Sequence, residues 1–391
     1  MKRKILIITP FLIQGGVEHS LITALSKIDY EKNDVTLYLY KKGMDLLPQV
    51  PEKVHVIQGI DETHYYKKLY SVVLLILLKI CIMVKAKKAE NKLSARLYSY
   101  IHKLKVHYPQ KVYFKNSKFD LIISYCLHLG TEMSLQIDAT KRVLFLHNSH
   151  TEYHQDIFEG CFEKLDKIIA VNDVVKQIYI NKYPGISDKI TVLENYVDAY
   201  EIIEKSKQYD VNKCEYKGQY FLCTCGRISK EKGFNLAVDA AEYLKNQGVS
   251  FVWFFVGDGD FRKNIEQTIE EKDLNDYVLI TGFQDNPYPY MAAADIYVQT
   301  SYEEAQPLVL LEAMVLGKPI VSTKTVGGRN ILKDGKKGII TDYSGEAIAK
   351  GILCLITNPD KLHSFQYQYS IEDNNREKQE YTKRLNELLL Q

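Results

Sequence analysis

The feature that most constrains the fold of this chain is a repeated alternation of short β-branched runs with longer amphipathic stretches. Such an alternation is typical of a parallel sheet covered by helices. Gly15-Gly16 separates the first buried run from a predicted helix at about Val17–Ser26. The predicted strands of this first series are Lys4–Thr9, Asp34–Tyr40, Lys53–Ile57, Phe119–Ser124, Arg142–Leu146, Lys167–Val171 and Lys189–Leu193.

The alternation begins again after a stretch that we predict to be less ordered, about Asp198–Lys217. A chain of 391 residues is too long for one ordinary hydrophobic core. We therefore predict two α/β domains, residues 1–197 and 198–370, and a last helix within 371–391 that we hypothesise to pack back on the first domain. The predicted strands of the second domain are Tyr220–Cys225, Phe251–Val256, Val278–Thr281, Ile296–Gln299, Pro319–Ser322 and Lys337–Ile340.

The seven cysteines and the N-terminus bear on the cellular compartment. No C-x-x-C pair and no metal-ligand spacing of Cys and His occurs, and Cys223 and Cys225 alternate along a predicted strand like small core residues. The basic start, Lys2-Arg3-Lys4, is followed by only seven apolar residues, interrupted by Thr9-Pro10, before Gln14, which is too few for a secretory signal. We expect a cytoplasmic protein without a metal site.

Two cations follow the predicted strand Tyr220–Cys225. Arg227 and Lys232 lie five residues apart, after Gly226 and ahead of a predicted helix. The carboxyl edge of an open α/β sheet is where such folds bind ligands, and both side chains can hold phosphate there. The alternative is a solvated turn with ordinary surface charges.

A second group of residues follows the predicted strand Ile296–Gln299. Pro307 suits the first turn of a helix, so the amides of Leu308 and Val309 are expected to point at a bound anion. Glu304 and Glu312 flank this helix start, and carboxylates beside a phosphate site are explained by sugar hydroxyls. Alternatively, Glu304 is a helix N-terminal charge and Glu312 is solvated.

The spacing of these two glutamates, E-x7-E, resembles the motif of retaining glycosyltransferase family 4. The family has the GT-B fold: α/β, with two Rossmann-like domains whose parallel sheets face each other across a cleft. This chain departs from the family at Ala305-Gln306-Pro307, where glycine and phenylalanine are common, so the resemblance implies an altered sugar pocket. The other matching segments are Gly15-Gly16-Val17-Glu18, Gly226-Arg227, Glu231-Lys232-Gly233, Phe255–Gly259, Thr281-Gly282-Phe283, Ala294-Asp295, Leu311–Met314 and Gly317–Val321.

The resemblance also implies a role for each matching residue. Arg227 and Lys232 would hold the donor diphosphate, with the amides of Leu308 and Val309 completing the phosphate site. Glu312 would bind the ribose and Glu304 the transferred sugar. The remaining implied contacts are Gly16, where the backbone of the first domain approaches the diphosphate, and the main chain at Gly282 and Phe283, which would meet the base.

His147 follows the predicted strand Arg142–Leu146 and therefore lies at a carboxyl edge. In similar enzymes a histidine here lies near the transferred sugar and the acceptor, which implies site organisation or proton handling. A hydrogen-bonded loop histidine is the alternative, and His128 and His150 are weaker candidates for the same role. The resemblance further implies retention at the anomeric carbon without a metal or other cofactor, because the Arg–Lys pair supplies the positive charge.

The acceptor hypothesis rests on residues 65–118, where thirteen Lys and Arg accompany one acidic residue, Glu90. The apolar run Val72–Val84 is shorter than a bilayer span and contains Lys79. Basic residues flank it on both sides, which is typical of an interfacial segment on anionic lipid. A core helix with a basic outer face is the alternative, and a long apolar run argues against nucleic acid as the partner.

Three functional hypotheses follow. The first is a transferase that moves sugar from a UDP- or GDP-sugar to a lipid-linked oligosaccharide or glycolipid in surface polysaccharide biosynthesis, peripheral on the inner face of the cell membrane. The second is a GT-B enzyme on a soluble sugar acceptor, such as a phosphorylase or a sucrose- or trehalose-type synthase. The third is a non-catalytic nucleotide-sugar-binding protein. Co-sedimentation with liposomes discriminates the first from the second.

Overall fold

The chain divides into two units in a computed structural model that describes residues 2–59, 102–103, 106–127, 129–148, 160–216, 219–367 and 370–390. The first unit comprises Met1–Leu193 and Arg384–Gln391, and the second comprises Glu194–Lys383. The boundary thus lies four residues before the predicted one at 197/198. The apolar run Val72–Val84 and most of the basic segment lie outside the described residues.

The first unit contains a parallel sheet in the order β3-β2-β1-β4-β5-β6-β7 among its described residues. The central strand β1 buries four consecutive residues, Ile5 to Ile8, as expected for a strand that is covered on both faces. The strands are β1 (Arg3–Thr9), β2 (Asn33–Leu39), β3 (Val54–Gln58), β4 (Phe119–Ser124), β5 (Ala139–Leu146), β6 (Lys167–Ala170) and β7 (Ile190–Val192). The helices with defined bounds are α1 (Gly16–Ser26), α2 (Leu129–Ser134) and α3 (Asp173–Lys182).

The second unit contains a parallel sheet in the order β10-β9-β8-β11-β12-β13. Successive residues of a strand point to opposite faces, and here both faces are packed: Trp253 and Phe255 lie in one buried cluster and Phe254 in the other. Cys223 is fully buried in the second cluster. The strands are β8 (Tyr220–Cys225), β9 (Phe251–Val256), β10 (Val278–Gly282), β11 (Ile296–Gln299), β12 (Ile320–Thr323) and β13 (Ile339–Thr341).

The second unit has nine described α-helices, among them helices on both faces of its sheet. They are α4 (Ala199–Ser206), α5 (Phe234–Asn246), α6 (Arg262–Glu271), α7 (Tyr288–Ala293), α8 (Leu308–Val315), α9 (Val326–Ile331), α10 (Gly345–Ile356), α11 (Pro359–Ser364) and α12 (Ile371–Leu390). The last of these, α12, continues beyond Lys383 into the first unit, where the guanidinium of Arg384 donates to the carbonyl oxygen of Val192.

Helix α4 corrects the prediction that Asp198–Lys217 is less ordered. The side chain of Asp198 caps this helix by accepting a hydrogen bond from the amide of Glu201. Ala199 and Ile202 are buried against Val315. Three of the eight helix residues are charged, and the helix is stabilised because its buried apolar residues meet a tertiary partner.

Both sheets reverse their strand order once, between the first and fourth strands of the series: β1 and β4 in the first unit, and β8 and β11 in the second. At such a reversal the loops leaving the two adjacent strands run in opposite directions and leave a crevice at the carboxyl edge. The predicted Rossmann-like organisation of two parallel sheets is confirmed. Within the described ranges, no helix combines the length and apolar character needed to cross a bilayer.

Candidate functional site

The loop after β8 carries both predicted cations. Arg227 is exposed on it, and a short 3₁₀ helix, Lys230–Lys232, follows. The backbone of Lys232 is fixed because its carbonyl oxygen accepts a hydrogen bond from Thr300 Oγ1 at 2.9 Å. The loop after β8 is thereby joined to the loop after β11.

Gly233 makes this close approach of the two loops possible. Its φ is +65°, in the left-handed region that favours glycine. A Cβ atom at this position would lie 2.1 Å from the carbonyl oxygen of Thr300. Both the backbone angle and the space therefore require glycine immediately after Lys232.

Lys232 and Glu304 form an ion pair across the strand reversal, with Lys232 Nζ 2.6 Å from Glu304 Oε1. The side chain of Lys232 is 31% exposed and that of Glu304 only 13%. The structure thus brings together two predicted site residues that are separated by 72 positions. Strands β8 and β11 place them there because the two are hydrogen-bonded neighbours.

Glu304 is also held by two residues that the sequence analysis missed, Gln299 and Ser301. Gln299 Nε2 donates to Glu304 Oε1 at 3.2 Å, and Ser301 Oγ donates to the same oxygen at 3.0 Å. Both residues are buried at the end of β11. The signal available in the sequence was a single amide at the end of an otherwise apolar strand.

Helix α8 begins at Leu308, next to Glu304. Pro307 lies just before the helix, in extended backbone, and not in its first turn as predicted. The first amides of a helix have no acceptor inside it, so those of Leu308 and Val309 are oriented to meet an anion at this end. The backbone of Glu304 is fixed here too, because its carbonyl oxygen accepts from the amide of Gly327 at 2.8 Å.

Glu312 lies further along α8, facing α7. The hydroxyl of Tyr288 donates to Glu312 Oε1 at 3.3 Å. Burial raises the pKa of Glu312 to about 7, although the Tyr288 hydrogen bond and the charge of Lys205 oppose that rise. Glu312 is therefore not the solvated surface residue of the alternative interpretation.

Gly282 and Phe283 end the strand beside β9. Gly282 has φ +73°, and its carbonyl oxygen accepts from the amide of Gly257 at 3.0 Å. The ring of Phe283 is 49% exposed, which is unusual for a phenylalanine and leaves a face for stacking. Gly282 and Phe283 thus occupy the same carboxyl edge as the cations.

The other two predicted residues, Gly16 and His147, belong to the first unit. Gly16 begins α1, and a Cβ atom there would meet no atom within 4 Å. His147 follows β5 and packs against the rings of Tyr125 and Phe145, with ring centres 4.7 Å and 5.9 Å away. His128 and His150 lie outside the described residues.

The environment of His147 restricts its chemistry. Burial lowers the pKa of His147 to about 3, so the imidazole is neutral near pH 7. Its Nε2 atom is buried and has no hydrogen-bond partner in the described part of the chain. The imidazole therefore has unused hydrogen-bonding capacity among the described residues, and it carries no positive charge near pH 7.

The second unit is similar in sequence to known glycosyltransferases. Residues 206–370 match the model of the family "Glycosyl transferases group 1". Over 128 residues the chain is 33% identical to the lipopolysaccharide core biosynthesis glycosyltransferase LpsE of Rhizobium meliloti, covering 32% of this chain and 36% of that protein. Over 143 residues it is 30% identical to the amylovoran biosynthesis glycosyltransferase AmsK of Erwinia amylovora, covering 34% and 35%. The chain thus spans only about a third of the length of these curated relatives.

A solved structure extends the fold comparison to the whole chain. The crystal structure of HepE from Anabaena in complex with UDP-glucose matches with a TM-score of 0.68 at 19% identity, covering 99% of both chains. At this identity the match shows the fold alone. The chain therefore has the predicted α/β GT-B fold class, and its residues 206–370 are similar to the group 1 glycosyl transferases.

Proposed function

We propose that this chain is a retaining glycosyltransferase that moves a sugar from a UDP- or GDP-sugar to a lipid-linked oligosaccharide or glycolipid in surface polysaccharide biosynthesis. The observation that carries the proposal is the Lys232–Glu304 pair beside the start of α8, at the strand reversal of the second sheet. The names of LpsE and AmsK and the UDP-glucose bound to HepE support the proposal.

In this proposal the second unit binds the donor. Lys232 and Arg227 hold the diphosphate with the amides of Leu308 and Val309. Glu312 accepts hydrogen bonds from the ribose hydroxyls and Glu304 from the transferred sugar. The backbone at Gly282 and the exposed ring of Phe283 meet the base.

The reaction replaces one bond to the anomeric carbon by another. The acceptor oxygen attacks that carbon on the face from which the diphosphate leaves, and the acceptor proton passes to the departing phosphate oxygen. Charge that develops on the diphosphate is stabilised by Lys232, Arg227 and the helix amides. We propose that these groups take the place of a metal ion, and that neutral His147 positions a hydroxyl group near the reaction.

The donor is the first quantity to measure. Thermal-shift titration of the full chain with UDP-, GDP- and ADP-sugars is expected to show one nucleotide class that raises the melting temperature, because a ligand that binds only the folded state stabilises it. Arg227→Ala is expected to remove that shift, whereas Lys263→Ala, an exposed lysine on α6, is expected to keep it. A chain that no nucleotide sugar stabilises contradicts the proposal.

Donor affinity is expected to rise with pH around 7. In the free protein Glu312 is protonated below a pKa of about 7, and ribose hydroxyls bind its ionised form best. Binding of UDP-glucose, whose phosphates do not titrate in this range, should therefore weaken by up to about tenfold per pH unit below 7. The same raised pKa means that the free fold loses stability as the pH rises from 4.5 to 7.

Calorimetry of UDP-glucose binding between pH 5.5 and 8.5 measures this effect. Glu312→Gln removes the titrating group while keeping its size, and its profile should be flat. A wild-type profile as flat as that of Glu312→Gln would show that ribose does not select the ionised carboxylate.

The acceptor part of the proposal rests on residues 65–118. Their thirteen basic residues and the apolar run Val72–Val84 suit an anionic lipid surface. A peripheral position on the inner face of the cell membrane would bring the enzyme to a lipid-linked acceptor.

A further inference from the structure

We propose that Gln299 and Ser301 are positioning residues that hold the carboxylate of Glu304 while Lys232 exchanges it for the donor diphosphate. The inference rests on the proposed function and adds to it. In the protein without donor, Lys232 pairs with Glu304. In the protein with donor bound, Gln299 and Ser301 alone hold the carboxylate of Glu304.

The first observation is that the contacts of Glu304 are one-sided. Its side-chain hydrogen bonds within the described ranges, from Lys232, Gln299 and Ser301, all end on Oε1. Oε2 takes part in none of them. A carboxylate held in this way keeps its second oxygen available for the hydroxyl of a sugar.

The second observation is that Gln299 is itself rigidly held. It is 3% exposed. Its Oε1 lies 3.2 Å from the hydroxyl of Tyr297, whose one hydrogen is shared with the carbonyl oxygen of Cys225, and its Nε2 donates to Ser301 Oγ at 2.7 Å. These contacts fix which end of the amide faces Glu304. A buried amide with partners on both sides is a preorganised support.

The third observation is that the two ends of the ion pair differ in freedom. Lys232 is 31% exposed on a loop, whereas Glu304 is 13% exposed and its backbone is bonded to Gly327. The long side chain of Lys232 can therefore turn to a diphosphate without Glu304 following it. The carboxylate and the diphosphate are both negatively charged and repel each other when both lie close to the one ammonium group. They therefore compete for Lys232.

The uncharged side chains of Gln299 and Ser301 determine the outcome of that competition. When Lys232 leaves, Gln299 and Ser301 still satisfy Oε1, so the buried carboxylate is not left without a partner. Without them, the cost of an unpaired buried charge would oppose the exchange. Diphosphate binding should then weaken, but only while residue 304 carries a charge.

A double-mutant cycle on UDP binding to the full chain tests this coupling. Glu304→Gln removes the competing charge and is expected to tighten UDP by about threefold to tenfold, in the range of a partly buried ion pair. Gln299→Met, which keeps the volume, is expected to weaken UDP by about fivefold in the wild-type background, and by less than about twofold when combined with Glu304→Gln. Ser301→Ala should behave in the same way with a smaller change in packing.

Controls separate positioning from general damage. Ser322→Ala removes a buried hydroxyl at the end of neighbouring β12 and should leave UDP affinity unchanged in both backgrounds. Equal weakening by Gln299→Met in both backgrounds, or no weakening in either, overturns the positioning role. Glu304→Gln that fails to tighten UDP overturns the exchange. Failure of the wild-type chain to bind any nucleoside diphosphate overturns instead the proposed function on which the inference rests.

Discussion

Turnover of the nucleotide-sugar donor is expected to fall by about 10²–10³-fold when Lys232 is replaced by alanine, the usual loss when one group that stabilises developing charge is removed. The ammonium of Lys232 lies at the strand reversal, 2.6 Å from the carboxylate of Glu304. Its removal deprives the leaving diphosphate of a positive charge at the moment when negative charge develops there. Steady-state kinetics of donor hydrolysis or transfer measure the effect.

The matched control is Lys230→Ala in the same 3₁₀ helix. Lys230 is exposed and its Nζ lies over the ring of Phe261, 5.8 Å from the ring centre. It makes no contact with Glu304, so turnover should stay within about twofold of wild type, as for other surface substitutions. Wild-type activity should also survive a chelator. Activity that EDTA abolishes, in a chain where Lys232→Ala is harmless, would assign the leaving-group charge to a metal instead.

The free energy of unfolding of the second unit is expected to fall by about 3 kcal/mol or more on Gly233→Ala. The added Cβ atom would lie 2.1 Å from the carbonyl oxygen of Thr300, and the backbone angle φ of +65° already disfavours a side chain. The loops after β8 and β11 must separate to admit it. Denaturant unfolding followed by fluorescence of the single tryptophan, Trp253 on β9, measures the loss in this unit.

Gly248→Ala separates the two causes. Gly248 also has a left-handed backbone, with φ +72°, but a Cβ atom there would meet no atom within 4 Å. It should therefore cost only about 1 kcal/mol, the conformational part alone. Equal losses for the two variants would mean that the loops are not in contact at Gly233.

Most of the sheet structure could be predicted from the sequence because its strands are continuous apolar runs. Phe251–Val256 and Tyr220–Cys225 are buried throughout or nearly so, and their ends coincide with the prediction. Helix α4 was not predicted, although four of its eight residues are apolar, because the surrounding stretch Asp198–Lys217 is rich in charged and polar residues. Its stability comes from Ala199 and Ile202 packing on Val315, a partner more than a hundred residues away.

The candidate site was predicted in its members but not in its contacts. Each residue could be placed at a carboxyl edge from the strand that precedes it. The pairing of Lys232 with Glu304 depends on β11 lying beside β8. The order of strands in a sheet is set by contacts between distant segments, so it could not be predicted from the residues around each strand. Gln299 was overlooked because one amide in an apolar strand is typical of a core position, and the raised pKa of Glu312 arises from helices that meet only in the fold.

The open surroundings of Gly16 have a practical consequence. Neither its backbone angle nor any neighbouring atom requires glycine there. Replacing Gly16 by alanine is therefore expected to leave the stability of the free protein unchanged. Any intolerance recorded with substrate present then belongs to the substrate. The loss of binding on enlarging the side chain at position 16 accordingly reports how near a bound molecule comes to the start of α1.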